Sequence, residues 1–140
     1  MKNFRELKEE FENKKNEEFK KTGIFYAFSN AQWEEQKTHK DAPDNEFVSV
    51  GCGAYIHKSN KAKLNNYFEN ILPQLRKDFI DKINLNDLID YELINHECWY
   101  TGEWFEVVEI LKDYNTGLSN EELTEKVREI YKAHPERFDW

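Results

Sequence analysis

The chain has 140 residues, of which 20 are basic and 28 acidic, giving a net charge of −8; it is 39% apolar and 15% aromatic. At this length roughly two thirds of the unfolded surface is buried on folding, enough for one domain whose core is built from a few large rings rather than many aliphatic groups. The acidic balance disfavours docking onto phosphate backbones or anionic lipid and favours a basic protein surface.

No apolar run approaches the roughly 20 residues of a membrane span, and the start, MKNFRELKEEF, has no apolar signal region. A soluble, cytoplasmic protein is expected. Cys52 and Cys98 lack CxxC spacing, so neither a zinc framework nor a disulfide scaffold is predicted, and both read as free, mostly buried thiols.

Residues 3–21 place Phe4, Leu7, Phe11 and Phe19 among charges, with Gly23 as a stop; this is the pattern of an exposed amphipathic helix. IFYAF at 24–28 lacks helical period and predicts a strand. Ser29 and Gln32 form a capping box for a short helix over about 30–37. FVSV and AYIHK flank Gly51-Cys52-Gly53, as two strands joined by a tight connection or one strand with a bulge.

From Asn60 on, Leu64, Tyr67, Phe68, Ile71 and Leu75 recur at helical spacing, with Pro73 placed to kink or divide the element. Leu88, Ile89 and Leu93 mark another helix, capped by Asn86 or Asp87 and ended by Gly102; Trp104, Val107, Val108 and Leu111 mark the next, closed by Asn115-Thr116-Gly117. The last has a capping box at Ser119 and Glu122, a staple of Leu118 and Leu123, and a buried face of Leu123, Val127, Ile130 and Tyr131. The fold expected is a mostly helical α+β single domain with a small two- to three-stranded antiparallel sheet. Its parts are a helix over 1–22, a core over 24–133 and a tail over 134–140, in which Phe138 and Trp140 either pack back or face a partner.

The stretch YELINHECWYTGEW at 91–104 gathers the chemistry. Asn95, His96 and Glu97 read either as polar groups that satisfy a helix end and brace the sheet or as a functional patch. His96 as acid or base needs an orienting partner, which Glu97 cannot supply if the helix persists, because adjacent residues point about 100° apart. Cys52, with His96 or His57, is a conceivable nucleophile, although a tight turn explains the two glycines without chemistry. His39, His57, His96 and His134 are scattered singly, so no metal site and no cofactor are predicted.

Glu103, Glu106, Glu109 and Asp113 share one helical face. They read either as a solvated face or as an acidic surface imitating phosphates, with Trp99, Trp104 and Phe105 as anchors. The segments FYAFSNAQWEEQK and YELINHECWYTG, with the glycine pair between them, resemble a family of small uncharacterised proteins of phages and mobile elements. The resemblance covers about residues 24–117 and rests on Phe28, Ser29, Gln32, Trp33, Gly51, Gly53, Asn95, His96, Glu97, Tyr100 and Thr101. This chain departs from that pattern in Trp33, where the family usually has Phe, and in a less polar Glu103-Trp104-Phe105 run.

By analogy with small acidic phage proteins, the resemblance implies an anti-CRISPR-like inhibitor that binds a basic host protein, a CRISPR effector nuclease among the candidates. It implies no direct nucleic-acid or membrane contact, and a monomer or weak homodimer. The alternative is a small hydrolase or nucleotide-processing enzyme using His96 and Glu97.

Overall fold

Phe4, Leu7 and Phe11, spaced three and four apart, put one apolar stripe on a charged helix, and the helix they form is α1 (Phe4–Lys20). The structure, a computed structural model, describes residues 1–138. It divides into two compact units, one of Met1–Phe11 with the described residues from Pro73 onward, the other of Glu12–Leu72. The secondary structure is mostly helical with a small antiparallel sheet, an α+β fold as predicted. No helix among the described residues is long and apolar enough to cross a membrane.

In the second unit α1 closes where the Thr22 hydroxyl donates to the Phe19 carbonyl at 2.6 Å. The strand β1 is only Phe25–Tyr26, shorter than the predicted 24–28. The chain leaves it at Phe28, whose N–H donates to the Gln32 side-chain oxygen at 2.7 Å. The Ser29 hydroxyl accepts from the Gln32 N–H and starts α2 (Asn30–Gln36). The glutamine therefore reaches one residue further back than in the predicted capping box.

Strands β2 (Phe47–Gly51) and β3 (Ala54–His57) form a hairpin, and β3 is central in the order β1-β3-β2. The turn needs left-handed backbone at Gly51, Cys52 and Gly53, and a register shift lies between Ser49 and Gly51; of the two predicted forms, two strands joined by a tight connection is the one present, rather than one bulged strand. Phe25, Trp33, Phe47 and Tyr55 pack ring on ring at centroid distances of 4.9–6.1 Å. Rings replace aliphatic bulk here, as the composition requires.

After β3 a helical run begins with α3 (Lys61–Asn66), passes through a wider turn over Tyr67–Ile71, and continues as α4 (Leu72–Lys82). Pro73 cannot donate, and its ring crowds the carbonyl four residues earlier. The backbone answers by widening: the Leu72 N–H bonds the Tyr67 carbonyl five residues back, the signature of a π turn.

The core of the first unit is aliphatic at its centre. Leu88, Ile89 and Leu93 of α5 (Leu85–Asn95), Val107, Val108 and Leu111 of α7 (Phe105–Lys112), and Leu123 and Val127 of α8 (Asn120–Lys132) are buried together. Phe11 stacks on Phe79 at 4.7 Å at its margin. The α8 capping box is complete: the Ser119 hydroxyl accepts from the Glu122 N–H and the Glu122 carboxylate accepts from the Ser119 N–H.

Two boundaries differ from the sequence reading. Helix α5 is capped by Asn84, whose side chain accepts from the Asn86 N–H, rather than by Asn86 or Asp87. It also stops at Asn95 instead of running on to Gly102, because Glu97 adopts φ 52 and a separate turn of helix, α6 (Cys98–Thr101), intervenes before Gly102. The tail packs back as far as Arg137, which pairs with Asp90 at 2.6 Å and lies over the Trp99 ring at 4.6 Å; Trp140 lies outside the described residues.

Gly53 supplies a test of the hairpin. A Cβ there would stand 2.2 Å from the Phe28 ring, and φ is +78°. Gly53→Ala is expected to lower stability by about 1–2 kcal/mol, and by less in a Phe28→Ala background, where only the backbone strain remains. Urea denaturation of the four proteins measures the difference.

Candidate functional site

The helix break at Asn95–Glu97 follows from the chain around it. The His96 N–H still bonds back into α5, whereas the left-handed Glu97 turns the backbone so that Cys98 and Trp99 enter the core. A Trp buried this deeply needs a partner for its N–H, and the Trp99 indole donates to the Tyr131 carbonyl at 2.8 Å. The two rings stack 5.5 Å apart.

The structure therefore corrects Trp99 as a surface anchor: it is 4% exposed and belongs to the core. Trp104 is half-buried against that core. Phe105 alone of the three presents a large free surface, at 55% exposure.

The carboxylates placed beside His96 are those of Glu92 and Glu106. The ring's Nε2 lies 3.4 Å from the Glu92 carboxylate, and its Nδ1 lies 3.9 Å from that of Glu106. Glu92 is buried while Glu106 is exposed, so the imidazole bridges α5 to α7. It braces one helix against another, and its neighbours are not those of the predicted sheet. Asn95 and Glu97 are exposed, and the Thr101 hydroxyl accepts from the Glu103 N–H at 3.2 Å, fixing the approach to α7.

Helix α7 sorts its residues cleanly. Val107, Val108 and Leu111 face inward with no exposed surface, so positions three and four apart on the other side must face water. Glu106 and Glu109 are exposed there, and Glu103 just before the helix and Asp113 at its C-cap are exposed as well. Lys112 bonds Glu109 at 2.8 Å.

The two thiols have opposite settings. Cys98 is buried as expected, but Cys52 is exposed, because the left-handed hairpin turn carries it away from the core. Burial, and secondarily the Glu106 carboxylate, push the Cys98 thiol up to about 11. It is no nucleophile at neutral pH. Cys52 and His96 belong to different units, and His57, the other histidine considered for Cys52, is engaged elsewhere.

His57 is the hub of a cluster that sequence reasoning missed. Its Nε2 meets the Glu46 carboxylate at 2.8 Å, its Nδ1 meets the Ser59 hydroxyl at 2.8 Å and accepts the Ser59 N–H at 3.2 Å, and its ring stacks on His39 at 4.0 Å. With the Nδ1 lone pair facing the backbone N–H, the proton resides on Nε2 and is donated to Glu46. That orients the ring but leaves no free base for an external substrate. Pairing Phe47 with His57 sets this geometry, and counting back from the glycine turn would have found it.

Among the described residues no group of three or more His, Cys, Asp or Glu side chains is placed to hold a metal ion. Ser29, Gln32, Gly51 and Gly53 are brought to one end of the second unit, and Asn95, His96, Glu97, Tyr100 and Thr101 to the α5–α6 junction of the first. A family model described as a family of unknown function, DUF7659, matches residues 7–136. No curated protein and no solved structure matches the chain.

The contrast between the thiols can be measured directly. In the folded protein a disulfide reagent should titrate Cys52 at once and Cys98 only after unfolding. Because the Cys98 thiolate is disfavoured in the fold, stability is whole below about pH 9 and declines toward pH 11, by roughly 1–3 kcal/mol from this group. Tyr131, raised in the same direction by burial and then by Cys98, adds to the loss. Thermal unfolding across that window should show a smaller decline in Cys98→Ala.

Proposed function

Because this chain belongs to DUF7659, a family of unknown function, its role has to be read from its own surface, and we propose that it is a protein-binding module acting through the acidic, ring-bearing face of α7. The observation that carries this reading is Phe105. Its ring stands 55% exposed between Glu103 and Glu106.

A helix that needed only a solvated face would place polar groups there, since leaving a Phe in water forgoes roughly 1.5–3 kcal/mol of burial. An exposed ring rimmed by carboxylates matches the anatomy of an interface, where an aromatic anchor supplies affinity and surrounding charge supplies orientation and speed of encounter. With a net charge of −8, the partner surface that fits is basic.

In its narrower form the proposal takes that partner to be a host defence nuclease, a CRISPR effector among them, whose basic groove the carboxylates would occupy in place of phosphates. That form rests on the size and charge of the chain and on class analogy with inhibitors from mobile elements. It requires no catalytic group.

The test is capture from a host lysate carrying defence systems, followed by titration of the purified captured protein. Glu103→Lys with Glu109→Lys should weaken binding about tenfold or more and flatten its salt dependence, and Phe105→Ala should weaken it about tenfold while leaving that dependence intact. Full affinity after the charge reversal would remove α7 as the contact face. These positions are exposed, so the melting temperature should stay within a few degrees of the unsubstituted protein.

A further inference from the structure

The second unit holds a cleft that the α7 face does not involve. The Ala27 N–H donates to the Gly53 carbonyl at 3.0 Å, and the bare Cα of Gly53 lets the Phe28 ring lie across the hairpin turn. The resulting cleft, of about 560 Å³, is lined by Phe28, Ser29, Asn30, Trp33, Asp44 and Tyr55 among others. That volume falls within the usual range of ligand sites.

Its chemistry is specific. Trp33 and Tyr55 meet at 90° with centroids 4.9 Å apart, forming two walls. Phe28 is a third wall that packing does not explain, at 74% exposure. The Trp33 indole N–H donates to an Asp44 carboxylate oxygen at 3.0 Å and fixes that carboxylate at the rim. Lys37 stands 3.8 Å from the same oxygen and 3.9 Å from Glu34. Glu34 and Asp44 thus share the Lys37 ammonium, and Lys40 bonds the backbone carbonyls of Glu34 and Glu35 beside them.

Ring faces carry negative potential and attract a cation placed over them, most strongly at Trp. The Asp44 carboxylate at the rim, which shares Lys37 with Glu34, adds attraction from the side. We infer that this cleft takes the guanidinium of an arginine side chain presented by a partner protein. A guanidinium is planar, so it can lie along a ring while its fork of N–H donors reaches the carboxylate, and it sheds water more readily than an ammonium. Free arginine brings its own carboxylate to a chain of net charge −8 and is the poorer fit. The site lies in a different unit from α7 and stands or falls apart from the reading given to that helix.

The experiment follows the Trp33 indole N–H in proton–nitrogen correlation spectra of the full chain, assigned by its absence in Trp33→Phe. The probes are a blocked peptide with one arginine, the same peptide with neutral citrulline, and free arginine. The arginine peptide should shift the Trp33 signal saturably. Citrulline, Asp44→Asn and Phe28→Ala should each weaken the effect about fivefold or more. Both variants alter exposed side chains, and an unchanged remainder of the spectrum reports that the fold persists. Equal binding of the citrulline peptide, or no saturable shift at millimolar arginine peptide, would overturn the site. Tighter binding of free arginine than of the blocked peptide would overturn its assignment to a protein side chain.

Discussion

The indole of Trp99 has to be both buried and hydrogen-bonded, and the first unit is arranged around meeting the two demands. An N–H left unpaired in an apolar interior would cost about 1–3 kcal/mol, and the acceptor is the Tyr131 carbonyl near the end of α8. To deliver the ring there the chain stops α5, turns through a left-handed Glu97 and makes a single turn of helix before Gly102. Arg137 then lies over the ring, and the His134 ring stands nearly perpendicular to it with centroids 6.0 Å apart. The same turn that buries Trp99 sets the start of α7, and with it the outward position of Phe105 and the carboxylates.

The second unit solves a different problem with the same currency of rings. Its sheet has three short strands, too little on its own to bury much aliphatic surface. Phe25, Trp33, Phe47 and Tyr55 supply area through mutual edge and face contacts, and the His57 and His39 rings continue the array beyond Phe47. Two of the polar tips are answered locally: the Trp33 N–H by Asp44 and the His57 nitrogens by Glu46 and Ser59. An aromatic core of this kind is wet at its edges, and here that edge becomes the cleft.

Features whose causes are local were legible in the sequence. The Ser119 box, the glycine turn of the hairpin, the disturbance ahead of Pro73 and the outward carboxylates of α7 each depend on residues within a few positions of one another, and each stands in the structure. Trp99 was misplaced because its burial depends on a carbonyl 32 residues away. Asn84 was overlooked as a cap because Asn86 and Asp87 carry equally good side chains, and only the backbone at Leu85 decides among them. The His39–His57 stack spans a loop and a strand, so it depends on register rather than spacing. The carboxylates beside His96, Glu92 and Glu106, became visible only once two helices were packed.

One detail of β1 bears on how the protein behaves when crowded. This edge strand is two residues long, and the next N–H after Ala27 is already held by Gln32, so a foreign strand laid alongside finds few donors to zip onto. Tyr26 and Phe28, both well exposed, can therefore face solvent without seeding the stacked-ribbon polymerisation that sticky edges invite. The glutamine that begins a helix also blunts the β1 edge of the sheet beside it.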